Sequence, residues 1–170
     1  MDLKAYIRDV PDFPKPGIIF KDITPLLGAA EALKFTVEAL AEPFRKKKVT
    51  RVAAIESRGF IFGSCVAQLL SAGFVPIRKP GKLPWTTRRN EYVLEYGTDA
   101  LEIHDDALTN DDRVLLIDDV LATGGTAAAA SCLVQESGAE LVGVATVIEL
   151  SFLNGRTKLN GISVHSLITY

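Results

Sequence analysis

The sequence predicts a single α/β domain in which helices cover a parallel β-sheet. Length and composition give the first reason, because 170 residues with 48% hydrophobic content suit one domain with a substantial buried core. The second reason is the order of patterns along the chain. Short apolar runs that favour strands alternate with segments of helical periodicity, as they do where helices cover a parallel sheet. We therefore expect one domain over residues 1–170.

The first long helix is predicted over residues 32–44, where the apolar residues fall on one helical face. Pro43 should kink or end this helix. The basic run at residues 45–48 follows it directly. We interpret that run as a cationic helix C-terminus that offsets the macrodipole, in preference to a binding patch.

The later elements follow from the same patterns. Gly73 should close the second helix and Gly138 the third. Residues 91–104 alternate around Tyr-Gly-Thr-Asp and predict a β-hairpin. In chain order, the predicted elements are a strand in RVAAIES, a helix in FIFGSCVAQLLSAG, a strand in FVPI, the hairpin EYVLEYGTDALEIH, a strand in RVLLID, a helix in TAAAASCLVQESG, a strand in ELVGVATVIEL and the closing segment ISVHSLITY.

Composition excludes several classes of protein. The net charge of -2 and the pI of about 5.7 give no global positive field, so we expect no nucleic-acid partner. The N-terminus lacks an apolar signal region and no run approaches ~20 apolar residues, so we expect no membrane partner and a cytoplasmic location. Cys65 and Cys132 lack metal-ligand spacing, and we expect buried thiols in preference to a disulfide or metal site.

The segment VLLIDDVLATGGT, residues 114–126, places two carboxylates at the end of a predicted strand. An ionised pair is costly to bury, so the strand is expected to end at Asp118 and both Asp118 and Asp119 to face a crevice. Ligands of open parallel sheets collect at the carboxyl ends of strands, where the next helix also begins. The two acids are therefore predicted to line a ligand site.

Small residues follow the acids and predict a phosphate-binding loop. Ala122, Thr123, Gly124, Gly125 and Thr126 allow close approach to backbone N–H groups and add two hydroxyls before a helix N-terminus. The missing GK[ST] and GxGxxG patterns disfavour a Walker loop and a dinucleotide fold. A sugar phosphate such as ribose 5-phosphate would use this loop for its phosphate and the acids for its hydroxyls. The alternative is an ordinary glycine turn beside solvated acids.

These residues resemble the phosphoribosyl-diphosphate (PRPP) motif of the type I phosphoribosyltransferases. Four more stretches, DFPKPGIIFKDITPLL, ESRGFIFG, IRKPGKLP and LEYG, are similar to the adenine phosphoribosyltransferases of that family in order and spacing. The likeness runs from about Tyr6 to Tyr170. It implies a type I phosphoribosyltransferase-like parallel sheet flanked by helices, with a small N-terminal hood at about residues 1–30 and a flexible β-hairpin lid at about residues 80–105.

The resemblance also implies an activity. Such enzymes make AMP and diphosphate from adenine and PRPP with Mg²⁺, as a step of purine salvage, and work as homodimers. Asp118 and Asp119 would hold the ribose hydroxyls and magnesium-bound water, while residues 122–126 would hold the phosphate. Two alternatives remain: a transferase for another purine base such as hypoxanthine or guanine, and a non-catalytic PRPP-sensing regulator. A regulator would be expected to lose LEYG and IRKPGKLP, which are present.

Diphosphate binding is expected at two further strand ends. One is the crevice mouth after RVAAI, and the other is the basic segment after FVPI, where local positive charge could clamp an anion. The alternative for Arg58, at the first of these strand ends, is a surface salt bridge. The alternative for the basic segment is a solvated loop. The resemblance implies a cis peptide bond between Glu56 and Ser57. The residues assigned to diphosphate are Glu56, Ser57, Arg58, Arg78, Lys79 and Lys82.

Base recognition is expected in the N-terminal segment. The apolar strip in PKPGIIFKD could stack on a purine while its backbone reads the exocyclic amine, although a small satellite core is the alternative. By resemblance, Ile19, Phe20 and Lys21 make this contact and Leu150 covers the opposite face. Many relatives carry Arg where this chain has Lys21.

The resemblance assigns catalytic roles to Glu95 and Arg58. Glu95 matches a loop glutamate proposed to handle the proton on the imidazole edge of the base, with a solvated hairpin acid as the alternative. Residues 85–90, WTTRRN, match no family pattern, and Trp85 is expected to pack.

Overall fold

A computed structural model describes residues 1–94 and 97–170, except for the side chains of 93, 94 and 97. The strands are β1 (Arg8–Pro11), β2 (Ile19–Asp22), β3 (Arg51–Ile55), β4 (Gly73–Ile77), β5 (Thr87–Leu94), β6 (Gly97–His104), β7 (Arg113–Leu121), β8 (Glu140–Glu149) and β9 (Val164–Thr169). The α-helices are α1 (Thr24–Gly28), α2 (Ala30–Ala41), α3 (Arg58–Leu69) and α4 (Gly125–Glu136), and 3₁₀ turns cover Leu3–Tyr6, Glu42–Phe44, Ser151–Leu153 and Gly155–Leu159.

A five-stranded sheet in the order β4-β3-β7-β8-β9 forms the centre of the domain, and all of its strand pairs are parallel. Alternate side chains of β3 enter two different cores. Val52 and Ala54 pack with α2 and α3 on one face, whereas Ala53 and Ile55 pack with α4 and β6 on the other. Burial on both faces explains the continuous apolar runs of the sequence, and the predicted fold class is confirmed.

Two smaller antiparallel pairs flank this sheet. Strands β1 and β2 pair from Arg8 opposite Asp22 to Pro11 opposite Ile19, within the segment expected to form the hood. Strands β5 and β6 form the predicted hairpin, which begins earlier than expected because Thr87 already pairs with His104. Trp85 lies just before it and is 66% exposed, so the prediction that this side chain packs is wrong.

Several predicted boundaries need correction. Helix α3 ends at Leu69, where Ser71 adopts a left-handed conformation with φ of 54°. Gly73 opens β4 and does not close the helix. Helix α2 ends before Pro43, as predicted, but the basic run at 45–48 lies in a turn beyond the following 3₁₀ turn. It therefore does not occupy the last turn of a helix.

The cysteine prediction was correct in part. Cys65 and Cys132 are both free thiols, as expected, but Cys65 is only half-buried and Cys132 is exposed. Within the described residues, every helix is too short or too polar to cross a membrane.

Candidate functional site

A cavity of about 530 Å³ opens at the carboxyl ends of β3 and β7. It brings together most of the residues singled out from the sequence. The predicted residues that line it are Ile19, Phe20, Lys21, Glu56, Ser57, Arg58, Lys79, Asp118, Asp119, Ala122, Thr123, Gly124, Thr126 and Leu150. Ile18, Ile55, Val120, Leu121 and Ala127 complete the lining. Of the predicted residues within the described chain, Gly125, Arg78 and Lys82 are not part of the lining, and Glu95 lies outside the described residues.

Strand β7 continues through the acidic pair, so the prediction that it ends at Asp118 is wrong. Asp118 pairs with Thr146 of β8, and the ladder extends to Leu121. Two contacts explain how the strand tolerates the acids. The Nε of Arg58 lies 2.5 Å from an Asp119 carboxylate oxygen, and the Asp119 backbone N–H donates to Asp118 Oδ1 over 2.9 Å. Both carboxylates still line the cavity, as predicted.

Burial gives the acidic pair unusual proton affinity. It raises the pKa of Asp118 well above its usual range, and the neighbouring Asp119 charge raises it further. Burial also raises the pKa of Asp119, although the Arg58 cation opposes that shift. Asp119 is only 5% exposed. Like charges this close disfavour double ionisation, so a hydroxyl donor or a cation beside the pair would stabilise its ionised form.

Arg58 connects the acids to the N-terminal strand pair. It is the first residue of α3, directly after the Glu56–Ser57 peptide bond, which is cis as the resemblance implied. Its guanidinium lies 5.2 Å from the centroid of the Phe20 ring, a cation–π distance. At the next position, a Cβ on Gly59 would lie 3.0 Å from Asp118 Oδ1. Glycine therefore allows this helix to begin against the acidic strand.

The phosphate loop has the geometry expected of an anion site. Gly124 has a φ of +78° and caps α4, which begins at Gly125. The first-turn N–H groups of a helix lack intrahelical partners and carry partial positive charge. Thr123, Gly124 and Thr126 line the cavity beside them. The loop therefore offers hydrogen-bond donors to an anion without using a lysine.

A second backbone segment supports this loop and was missed in the sequence. A Cβ on Gly155 would lie 2.1 Å from the carbonyl oxygen of Ala122, and a Cβ on Gly124 would lie 2.2 Å from the carbonyl oxygen of Gly155. The two backbones are therefore in direct contact, and neither glycine can be replaced without a shift. The Asn154-Gly155 dipeptide is a turn signal, but it does not indicate what the turn contacts.

An ion pair anchors the same segment to the sheet. Arg156 donates from Nε and Nη2 to the two carboxylate oxygens of Glu149 over 2.7 and 2.6 Å, and from Nη1 to the carbonyl oxygen of Val164 over 2.9 Å. Hydrogen bonds from Arg156 lower the pKa of Glu149, against the effect of burial. Bidentate pairing of this kind fixes orientation as well as charge, so it holds Gly155 against the loop.

The three cations of the basic segment after β4 make different contacts. Arg78 donates from Nε to Glu56 over 2.6 Å and from Nη1 to the Lys82 carbonyl over 3.2 Å, whereas Lys82 itself is exposed. Lys79 contacts Asp99 and the Tyr92 hydroxyl. Of the three predicted cations, only Lys79 lines the cavity.

The apolar strip is exposed in the cavity and is not a satellite core. Ile18 and Ile19 are 45% and 55% exposed and line the cavity beside Phe20. The Lys21 ammonium contacts Asp9 at 2.7 Å and lies 3.9 Å from the Tyr170 ring centroid. Since neither partner lines the cavity, the ammonium of Lys21 is engaged by groups outside the lining.

Replacing Asp118 with asparagine should stabilise the fold at neutral pH. Ionising a carboxyl whose folded-state pKa is raised costs free energy, and this cost is present above the unfolded-state value near 3.8 and disappears below it. The unfolding temperature should rise by about 2–4 °C, corresponding to ~1 kcal/mol. The difference should close as the pH is lowered towards the unfolded-state value. Asp106→Asn, at an exposed acid, is the control, and an unchanged or lower unfolding temperature for Asp118→Asn at neutral pH would contradict this account.

Comparison with known proteins agrees with this geometry. Residues 27–159 match the family model for the phosphoribosyl transferase domain. The chain is 56% identical over 168 residues to an adenine phosphoribosyltransferase of Anaeromyxobacter dehalogenans, covering 99% of this chain and 98% of the relative. It is similar to the crystal structure of adenine phosphoribosyltransferase from Rhodothermus marinus, with a TM-score of 0.95, 55% identity and coverage of 99% and 96% of the two chains.

A second similar structure was solved with ligands. It is the adenine phosphoribosyltransferase of Saccharomyces cerevisiae, complexed with an imino-altritol bisphosphate and adenine. Its TM-score is 0.92 at 40% identity, with coverage of 98% of this chain and 96% of that chain. With the fold, the PRPP motif and near-complete coverage in agreement, the chain belongs to the phosphoribosyl transferase family and, within it, to the adenine phosphoribosyltransferases.

Proposed function

We propose that the cavity at the ends of β3 and β7 binds PRPP and adenine and transfers the 5-phosphoribosyl group to N9 of the base. AMP and diphosphate are the products of this purine-salvage reaction. One observation carries the assignment of the reaction to this cavity: the acidic pair, the phosphate loop and the exposed apolar strip all line it. These features match the ribose, the phosphate and the base of a nucleotide.

The ribose 5-phosphate portion would lie over the start of α4. Its phosphate would accept hydrogen bonds from the backbone of residues 122–126 and from the hydroxyls of Thr123 and Thr126, each contributing about 1.5–3 kcal/mol. Its ring hydroxyls would donate to Asp118 and Asp119. The buried carboxylates of Asp118 and Asp119 would thereby gain hydrogen-bond donors when the sugar binds.

Adenine would lie between the N-terminal strip and the end of β8. Ile19 and Phe20 would cover one face of the ring and Leu150 the other, since all three line the cavity. The exocyclic amine would donate to a backbone carbonyl between Ile19 and Lys21. A backbone contact would not depend on whether this position carries Lys, as here, or Arg, as in relatives. The Lys21 side chain itself is hydrogen-bonded to Asp9.

The diphosphate of PRPP would be held by groups beyond the ribose. Arg58 and Lys79 supply positive charge in the cavity, and Glu56 and Ser57 form its wall between β3 and α3. Arg78 and Lys82 are proposed to act from outside the present lining, with Arg78 held in place by its contact with Glu56. The charges are therefore placed to receive the departing diphosphate.

In the proposed reaction, adenine N9 attacks C1′ of PRPP as the C1′–oxygen bond to diphosphate breaks. The transition state resembles an oxocarbenium ion, so orientation and charge stabilisation are needed and a protein nucleophile is not. Asp118 and Asp119 would orient the ribose, and Arg58 would face the leaving group. Glu95 remains a prediction for handling the imidazole-edge proton, because it lies outside the described residues.

Mg²⁺ is proposed as the metal of the reaction. Among the described residues, no three or more His, Cys, Asp or Glu side chains cluster in a way that could hold a metal ion. The paired carboxylates of Asp118 and Asp119 nevertheless fit a hard cation that takes most of its oxygens from substrate and water. When bound, Mg²⁺ would neutralise diphosphate charge. Asp118 and Asp119 would hold its water ligands.

We also propose the assembly, mobility and location that the resemblance implied. Ile61 and Leu69 of α3 and Phe74 of the edge strand β4 are exposed apolar side chains, and a second copy of the chain would bury them in a homodimer. The β1–β2 pair would serve as the hood and the β5–β6 hairpin as a lid. The free thiols suit a reducing cytoplasm.

A panel of labelled bases tests the activity and its alternatives together. The chain is incubated with PRPP, Mg²⁺ and radiolabelled adenine, hypoxanthine or guanine. We expect labelled AMP from adenine and much slower conversion of the other two bases. Preferred conversion of hypoxanthine or guanine would contradict the assignment of adenine, and PRPP binding without product from any base would indicate a regulator.

Replacing Asp119 with alanine should lower PRPP turnover by more than about tenfold, because a contact that orients the ribose is lost. Folding should be retained, since the freed Arg58 is 43% exposed and can be hydrated. Steady-state kinetics at saturating Mg²⁺ measures the effect, with Asp106→Ala as the matched change at an exposed acid outside the cavity lining. Wild-type rates in the Asp119→Ala variant would refute the ribose assignment.

A further inference from the structure

The hairpin contacts the cavity through a network of four side chains. The Tyr92 hydroxyl lies 3.1 Å from Lys79 Nζ, 3.1 Å from Asp99 Oδ2 and 3.3 Å from Thr126 Oγ1. Lys79 also pairs directly with Asp99. Lys79 and Thr126 line the cavity, whereas Tyr92 and Asp99 do not. Two hairpin residues thus hold two groups that the proposed function assigns to anion binding.

The hairpin is fixed along α4 at two points. Arg88 Nη1 donates to the carbonyl oxygen of Glu136 at the C-terminus of the helix over 2.8 Å, and Tyr92 contacts Thr126 at its N-terminus. The interval from Arg88 to Tyr92 spans about 13 Å in a strand, and that from Thr126 to Glu136 spans about 15 Å in a helix. Strand β5 therefore lies alongside α4, which sets Tyr92 beside the phosphate loop.

The Lys79–Asp99 contact is a favourable ion pair. Burial alone would lower the pKa of Lys79, but hydrogen bonds with Asp99 and Tyr92 outweigh it and the pKa is raised. Burial alone would raise the pKa of Asp99, but the hydrogen bond from Lys79 helps to lower it. The side chains of Lys79 and Asp99 remain 37% and 29% exposed. An incoming anion can therefore reach the ammonium.

We propose that Asp99 and Tyr92 are positioning residues that exchange their partners for substrate anions. Asp99 pairs with the Lys79 ammonium until diphosphate displaces the Asp99 carboxylate. Tyr92 is hydrogen-bonded to Thr126 until a sugar phosphate displaces the Tyr92 hydroxyl. This inference rests on the proposed function of the cavity. Asp99 is then a competitor for diphosphate, which weakens diphosphate binding and favours product release.

The shared Tyr92 hydroxyl makes the two exchanges interdependent. A phosphate that takes over Thr126 removes one of the contacts of Tyr92, and through it loosens the hold of the hairpin on Lys79. Ribose 5-phosphate should therefore increase the affinity for diphosphate, and diphosphate should increase the affinity for ribose 5-phosphate by the same factor.

Calorimetric titration with magnesium diphosphate tests the role of Asp99. Asp99→Asn should bind diphosphate about fivefold more tightly, the size expected for a partly exposed ion pair. The gain should vanish when Asp99→Asn is combined with Lys79→Met. Asp105→Asn is the matched control, since Asp105 pairs with Arg88 on the same hairpin outside the cavity lining, and it should leave diphosphate affinity unchanged.

Titration of diphosphate with and without ribose 5-phosphate tests Tyr92. Tyr92→Phe should remove most of the mutual enhancement seen in the parent, while Tyr6→Phe, outside the cavity lining, should retain it. Unchanged or weaker diphosphate binding by Asp99→Asn, or full enhancement in Tyr92→Phe, would overturn the inference while the proposed function stood. If the parent chain bound neither probe, the proposed function and this inference would both fail.

Discussion

The site depends on the continuation of β7 as a paired strand through Asp118 and Asp119. Its partner β8 runs as far as Glu149, so the ladder reaches Leu121 and delivers the acids and the phosphate loop to one edge of the sheet. Burial of the acids disfavours their ionisation, and Arg58 offsets part of that cost. A site that needs charge for its chemistry is thus held in place by the hydrogen-bonded sheet, at some expense of stability.

The phosphate loop is kept in position by contacts from the end of the chain. The backbone of Gly155 lies against Ala122 and Gly124, and the Glu149–Arg156 pair fixes the segment that carries Gly155. A loop supported in this way can present its N–H groups without rearrangement to the phosphate that we propose it binds, which is the advantage of a preorganised site. The hairpin also reaches this part of the chain through the contact of Tyr92 with Thr126. The loop therefore receives support from two distant parts of the sequence.

Much of the fold and of the cavity could be predicted from local patterns. Alternating apolar runs and helical segments indicated the covered sheet, and the small residues after Asp119 indicated the phosphate loop, because both signals lie within short windows. The extent of β7 could not be predicted, since it is set by pairing with β8 and by the ion pair with Arg58. The support from Gly155 and the Lys79–Asp99 pair were missed for the same reason: they join residues that are far apart in sequence, and only the folded chain brings them together.

We propose that a lysine-free loop of small residues binds the 5′-phosphate while the adjoining acids bind the ribose of the same nucleotide. A crystal structure with AMP measures this most directly. We expect phosphate oxygens within hydrogen-bond distance of the backbone N–H groups at 122–126 and ribose hydroxyls on Asp118 and Asp119. AMP bound elsewhere, with no phosphate on this loop, would contradict it.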